Sequence, residues 1–285
     1  MNAIENMDVD FERVFERNDN QYIAGCLQRD PFSEPEGNTF ASSEITGVPR
    51  SEWQKRIDAG GNSNRELIKK IRDQGQEGSC ACNAAVQAYQ TVFFRTYGFW
   101  MEFSPITIYK HLARGPNQGT TIDGNLKWLT EKGLLPLDTP ENRERLGKMG
   151  LDPSHVLQST GHGQRFPSGW EETAKHFRAD ESVDSANYEQ FISLLFADVP
   201  VVYGRAGHAI LGIDAVWRSG GIYNVYANSW TINFGDEGYG YDSERAVSRS
   251  MNSYGAWGLA SILHPQGIEN LIDLPPAPEV SSQNR

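Results

Sequence analysis

The sequence predicts an α+β fold, with helices gathered early in the chain and antiparallel strands late. Two observations carry this. Over Cys80 to about Tyr97, the residues Ala81, Ala84, Ala85, Ala88, Tyr89, Val92 and Phe93 recur at three- and four-residue steps, and Gly98 follows the last turn. Downstream, the apolar stretches Val199–Gly204, His208–Val216, Gly221–Trp230 and Trp257–Leu263 read as strands, with Ser219-Gly220-Gly221 as a hairpin turn. Runs of helix followed by runs of strand are the pattern of an α+β chain.

The remaining elements follow in order. Ile4, Met7, Phe11, Val14 and Phe15 have helical spacing with acids and Arg13 and Arg17 between them, the pattern of a short amphipathic helix. Residues 30–43, rich in Pro, Gly, Ser, Asn and Glu, read as a linker. A helix is expected through Tyr109, His111 and Leu112, and another from Asn125 through Trp128 to near Gly133. Residues 137–187 are broken by Pro140, Gly147, Gly150, Pro153, Gly161, Gly163, Pro167 and Gly169 and carry no clear pattern. Asn187–Phe196 reads as a helix with Tyr188, Phe191, Ile192, Leu194 and Leu195 on its apolar side. The tail holds Pro275-Pro276-Ala277-Pro278 and no core pattern. The expected organisation is an acidic arm and linker at 1–47, a domain at 48–264 (helical over about 48–187, β over 188–264), and a Pro-rich tail at 265–285.

Composition narrows the function. A chain of 285 residues with 38% hydrophobic and 11% aromatic content buries a substantial core. The net charge is −11, and over half of the excess lies in the first 40 residues. Lys and Arg form no cluster of the kind a nucleic-acid partner needs. No apolar run is long enough to cross a membrane, and the N-terminus lacks a basic start and apolar signal core, so export by the usual signal is not expected. The histidines show no metal-ligand spacing with the cysteines, and no phosphate-cradling or dinucleotide glycine loop is present; no metal or cofactor is expected. The three cysteines, Cys26, Cys80 and Cys82, allow one disulfide at most, and a reducing, intracellular setting is expected.

The candidate chemistry centres on Cys80. The loop Asp73-Gln74-Gly75-Gln76-Glu77-Gly78-Ser79 delivers it to a helix start, beside unpaired backbone N–H groups and the positive end of the dipole. Both favour the reactive thiolate. Gly207-His208-Ala209 opens a strand, and Asn228-Ser229-Trp230 ends the next. A cysteine with His and Asn about 130–150 residues downstream has the spacing of the papain family. Gln-Gly-x-x-Gly-Ser-Cys, Gly-His-Ala and Asn-Ser-Trp in this order resemble papain-like cysteine peptidases from about Val48 to His264.

The resemblance implies a two-lobed papain-like fold, with a helical lobe on the Cys80 helix, a barrel-like sheet lobe, and a cleft between. It implies Cys80 as nucleophile, His208 as base, Asn228 as orienter, Gln74 in the oxyanion hole and Trp230 as a shield over the His–Asn hydrogen bond. Gly78, Gly119 and Thr120 would line the cleft against a polypeptide substrate. The implied activity is thiol-dependent peptide hydrolysis. The alternatives are a papain-like binding or structural part of a larger assembly such as a phage virion, or a thiol-dependent transferase or isopeptidase. Three departures stand out. Ala81 replaces an aromatic residue, Glu77 stands where secreted members carry a cysteine, and only Arg205-Ala206-Gly207 separates the strand at 199–204 from His208. The first 47 residues lack the family's inhibitory propeptide pattern and are acidic, so this arm is expected to dock outside the cleft, on the domain itself or on a protein partner.

Overall fold

The computed structural model describes residues 23–30, 38–60, 64–218 and 220–272. The expected helix over residues 4–15 and the Pro-rich stretch of the tail lie outside these residues. Among those described there are eight α-helices and seven strands. The helices are α1 (Arg50–Ala59), α2 (Cys80–Tyr97), α3 (Ile106–Leu112), α4 (Ile122–Glu131), α5 (Pro140–Lys148), α6 (Trp170–Ala174), α7 (Tyr188–Phe196) and α8 (Glu244–Tyr254). The strands are β1 (Asn38–Thr39), β2 (Ala179–Asp184), β3 (Val201–Arg205), β4 (His208–Arg218), β5 (Gly221–Ala227), β6 (Tyr239–Ser243) and β7 (Ala256–Ile262). They make one sheet in the order β1-β2-β7-β3-β4-β5-β6, antiparallel throughout except for the parallel β1–β2 pair.

α2 is the axis of the molecule. Every residue from Cys80 to Phe93 is buried, and the small alanines let the helix lie close against β4 and β7. It ends where the repeat ends, at Gly98, whose φ of 75° suits a left-handed cap and whose N–H returns to the Phe94 carbonyl. One apolar core forms around α2, with Tyr89, Phe93, Phe103 and Phe177 meeting edge-on or tilted. The second lies on the other side of the sheet, where Trp53 of α1 and Tyr188 and Phe191 of α7 pack with Tyr203 and Tyr226.

Local signals explain the ends of the elements. Thr121, Thr139, Asn187 and Ser243 cap α4, α5, α7 and α8 through side-chain oxygens that accept a backbone N–H three residues on. The β3–β4 hairpin turns on Ala206 and Gly207, both with positive φ, the geometry of the tightest hairpin loops. That turn places His208 at the first position of β4. Six elements were not evident in the sequence: α1, α5, α6 and β2, and β6 and α8 between Asn228 and β7. β1 also lies within the expected linker, where Asn38 and Thr39 pair with Val183 and Asp184.

Candidate active site

Three segments converge on Cys80 at the start of α2. Asp73 bridges Trp230 in antiparallel fashion, and the Gln74 N–H donates to the Ser229 carbonyl at 2.9 Å. This joins the loop before Cys80 to the stretch after β5. From the β4 side, the Ala209 N–H points at Cys80 Sγ, 3.4 Å away. The distant residues Gln74, Cys80, His208 and Asn228 are thus held together by backbone pairing, and all four are buried.

His208 Nε2 lies 2.7 Å from Asn228 Oδ1. The same oxygen accepts the Ser229 backbone N–H at 2.7 Å. A backbone amide can only donate, so this atom must be the acceptor oxygen, and His208 Nε2 must carry the proton in its bond to it. The neutral ring therefore keeps its lone pair on Nδ1. Trp230 stacks on the imidazole with centroids 4.3 Å apart. Gln74 is fixed at both ends of its amide. Oε1 accepts from Ser229 Oγ at 2.7 Å, and Nε2 donates to the Glu77 carbonyl at 2.8 Å and to the Ile23 carbonyl at 3.2 Å.

The Ile23 contact introduces a feature absent from the sequence reading. Residues 23–30 run across the site rather than away from it, which corrects the expectation of docking outside the cleft for this part of the arm; the apolar stripe at residues 4–15 lies outside the described residues. The Ile23 carbonyl faces the Gln74 amide, and the Gly25 N–H lies 3.2 Å from Cys80 Sγ. Cys26 forms a parallel bridge with Thr120: the Thr120 N–H donates to the Gly25 carbonyl and the Leu27 N–H to the Thr120 carbonyl, each at 3.0 Å. The Cys26 N–H donates to the Gly207 carbonyl at 2.8 Å, and the Arg29 N–H to the Ser253 carbonyl at 3.0 Å. The segment fits only because glycines meet. A methyl group on Gly25 would stand 1.8 Å from the Gly78 carbonyl oxygen, and one on Gly119 would stand 2.5 Å from the Gly25 oxygen. Gly78, Gly119 and Thr120 are therefore the residues against which the segment lies. Backbone recognition of this kind leaves no local trace in the segment's own sequence.

Burial dominates the electrostatics of the site. The sequence favours a Cys80 thiolate, but burial pushes the thiol up to about 11, against the N–H groups of Ala209, Gly25, Ala81 and Cys80 itself. Burial holds His208 down to about 4, with Arg205 adding to that and the Asn228 bond opposing it. In both groups desolvation is the largest influence and favours the neutral form. Cys26, Cys80 and Cys82 are all free thiols. Cys82 Sγ sits 3.4 Å from both Thr120 Oγ1 and Asn125 Oδ1, on another side of the helix. Glu77 Oε1 accepts the Gly161 and His162 N–H groups at 3.0 and 2.9 Å. It ties the 159–164 loop to the nucleophile loop. Ser229 is a further site residue that the sequence reading missed; its place inside Asn-Ser-Trp was the available signal. No group of His, Cys, Asp and Glu side chains that could hold a metal ion occurs among the described residues. No helix among them is long and apolar enough to cross a membrane.

No protein-family model matches the chain. Solved structures do. Xylellain, a cysteine protease from Xylella fastidiosa, matches at 15% identity and a TM-score of 0.55, over 85% of this chain and 98% of that one. The digestive procathepsin L2 proteinase of the Tenebrio molitor larval midgut matches at 13% identity and a TM-score of 0.55, over 84% and 78%. The Amb a 11 cysteine protease, a ragweed pollen allergen, matches in its proform at 14% identity and a TM-score of 0.52, over 82% and 72%. What these likenesses establish is the fold: this chain has the α+β architecture of papain-like cysteine proteases.

Proposed function

We propose that the chain is a cysteine peptidase that hydrolyses peptide bonds through an acyl-enzyme, and that residues 23–30 keep it covered. The observation that carries this is the His208–Asn228 pair, its tautomer set by the Ser229 N–H, beside a cysteine at the first position of a helix. With Nε2 committed to Asn228, Nδ1 is the atom that takes the Cys80 proton. Sγ then attacks the substrate carbonyl carbon. The resulting oxyanion is met by Gln74 Nε2 and the Cys80 backbone N–H, and one such donor is typically worth about 100- to 1,000-fold in rate. His208 returns its proton to the leaving amine. Water, losing a proton to His208, attacks the thioester; the acid departs and the thiol is restored. Asn228 orients without charge and so leaves the thiolate–imidazolium pair intact. The position of the Ile23 carbonyl, opposite Gln74 Nε2, supports this assignment, because a peptide carbonyl already lies where the reacting one would. The cover fits with two of the structural neighbours being a procathepsin and a proform.

The test is peptide turnover by the full chain carrying Gly25→Ala, which has no room for the cover. Cys80→Ala added to it should abolish turnover, His208→Ala nearly so, and Asn228→Ala should be milder. Equal turnover with and without Cys80 would sink the reading. One observation favours a binding or structural role instead, namely the complete burial of Cys80 and His208. If that role is correct, Cys80 stays unreactive to alkylation even in the Gly25→Ala protein.

A further inference from the structure

The covering segment carries one cation across the cleft, and its destination is built to receive it. Arg29 Nη1 lies 3.8 Å from Asp184 Oδ2 at the end of β2, and the guanidinium sits 5.6 Å from the centre of the Trp257 ring. Asp184 and Trp257 face each other in the β2–β7 register. Asp184 is 8% exposed and Trp257 fully buried. The Asp184 Oδ1 atom is buried without a hydrogen-bond partner. A second carboxylate, Asp123 in the first turn of α4, also has a buried oxygen, Oδ1, without one, and its charge is felt at Asp184. Asp184 is thus paired with Arg29 through one oxygen and keeps unused acceptor capacity on the other. A buried carboxylate beside an aromatic face is costly when empty and favourable when filled by a desolvated cation.

The niche also lies along the substrate's route. The segment passes Gln74 at Ile23, Cys80 at Gly25, Thr120 at Cys26 and Asp184 at Arg29. Extended chain advances about 3.3 Å per residue, so Arg29 is at most about 13 Å along the cleft from Gly25. A substrate strand occupying the same groove would bring a side chain a few residues from its cut bond to the same place. We propose that Asp184 and Trp257 form a cation-recognising subsite that takes a lysine or arginine side chain of the polypeptide substrate, a proposal that rests on the peptidase reading above. In the covered state Arg29 fills this subsite as a stand-in for that side chain.

The experiment uses the full chain with Gly25→Ala, alone and combined with Asp184→Asn or Asp184→Glu. Cleavage of a peptide library is read by mass spectrometry, and kcat/KM is then measured on matched peptides bearing Arg, norleucine or Glu at the selected position. The Arg-to-norleucine ratio is expected to be about 10-fold or more, falling to about threefold or less with Asp184→Asn, as for truncation of one partner of a desolvated charge pair. It is expected to persist with Asp184→Glu, which keeps the charge, and cooperative thermal melting of each variant shows that it folds. Cleavage without a basic preference, or a preference that survives Asp184→Asn, would overturn the subsite and leave Asp184 as an anchor for the arm alone. Failure to cleave any peptide while Cys80 remains alkylatable would overturn the peptidase reading and this inference with it.

Discussion

Gly25→Ala isolates the cover with a single methyl group. Its Cβ would stand 1.8 Å from the Gly78 oxygen and 2.2 Å from the Gly78 carbonyl carbon. Both are backbone atoms in the loop leading to Cys80, so neither can swing aside as a side chain would, and the segment must withdraw. Withdrawal at this point breaks the bonds made by residues 25 and 26: Gly25 N–H to Cys80 Sγ, Thr120 N–H to the Gly25 carbonyl, and Cys26 N–H to the Gly207 carbonyl. At about 1 kcal/mol net for each, the covered state loses about 3 kcal/mol, which raises the uncovered population by about 100-fold. Iodoacetamide alkylation of Cys80, followed by peptide mapping at pH 8, reads this population directly when opening is fast relative to reaction. Gly163→Ala is the control, since a methyl there meets nothing within 4 Å. A Gly25→Ala protein alkylated at Cys80 within a factor of about two of wild type, far short of the shift expected from the lost bonds, would refute the claim that the segment guards the thiol.

Three further outcomes can be measured. Glu77→Ala removes the acceptor for the Gly161 and His162 N–H groups and should lower stability by about 2–4 kcal/mol in urea unfolding, with Glu77→Gln costing less because one oxygen remains; a change below about 0.5 kcal/mol would show that the tie is not needed. His208 is held down to about 4 from an ordinary 6.5, so the folded state resists its protonation. Its contribution is present above pH 6.5 and is lost as pH falls toward 4, about 3 kcal/mol in all, so His208→Gln should lessen the acid-side decline in stability seen for wild type. On the peptidase reading proposed above, Ser229→Ala removes the hydroxyl that holds Gln74 Oε1 and, in the Gly25→Ala protein, should lower kcat by about tenfold with KM little changed, because Gln74 would then be misplaced as the oxyanion donor.

The parts of the site legible in the sequence had local signals. Cys80 opens a repeat of small and aromatic residues, His208 follows a glycine into an apolar strand, and Asn228 closes the next strand. Gln74 could be placed only through the resemblance. What escaped lacked such signals. β2, Ala-Asp-Glu-Ser-Val-Asp, is half charged and reads as loop, yet Ser182 and Val183 pair in mid-sheet with Leu259 and Gly258. β6 has only five residues, and the helix behind it is marked chiefly by the Ser243 cap. The path of residues 23–30 depends on partners 50 to more than 200 positions away, joined through backbone atoms that carry no residue code. Burial favours the neutral forms of Cys80 and His208, a tertiary effect that outweighs the thiolate expected from the helix start alone.

The covering segment is also a tethered one. Residues 31–37 link Asp30, at one end of the cleft, to Asn38, where β1 pairs with β2 at the edge of the sheet. A segment attached by so short a leash keeps an effective concentration on the order of millimolar however dilute the protein is. Dilution therefore does not open the cleft, and a free peptide at micromolar concentration loses the competition for it. In the wild-type chain a break in the chain or a partner that holds the segment elsewhere would keep the cleft open, and on the peptidase reading proposed above the release of activity by a chain break should be first order in this protein unless one copy cuts another.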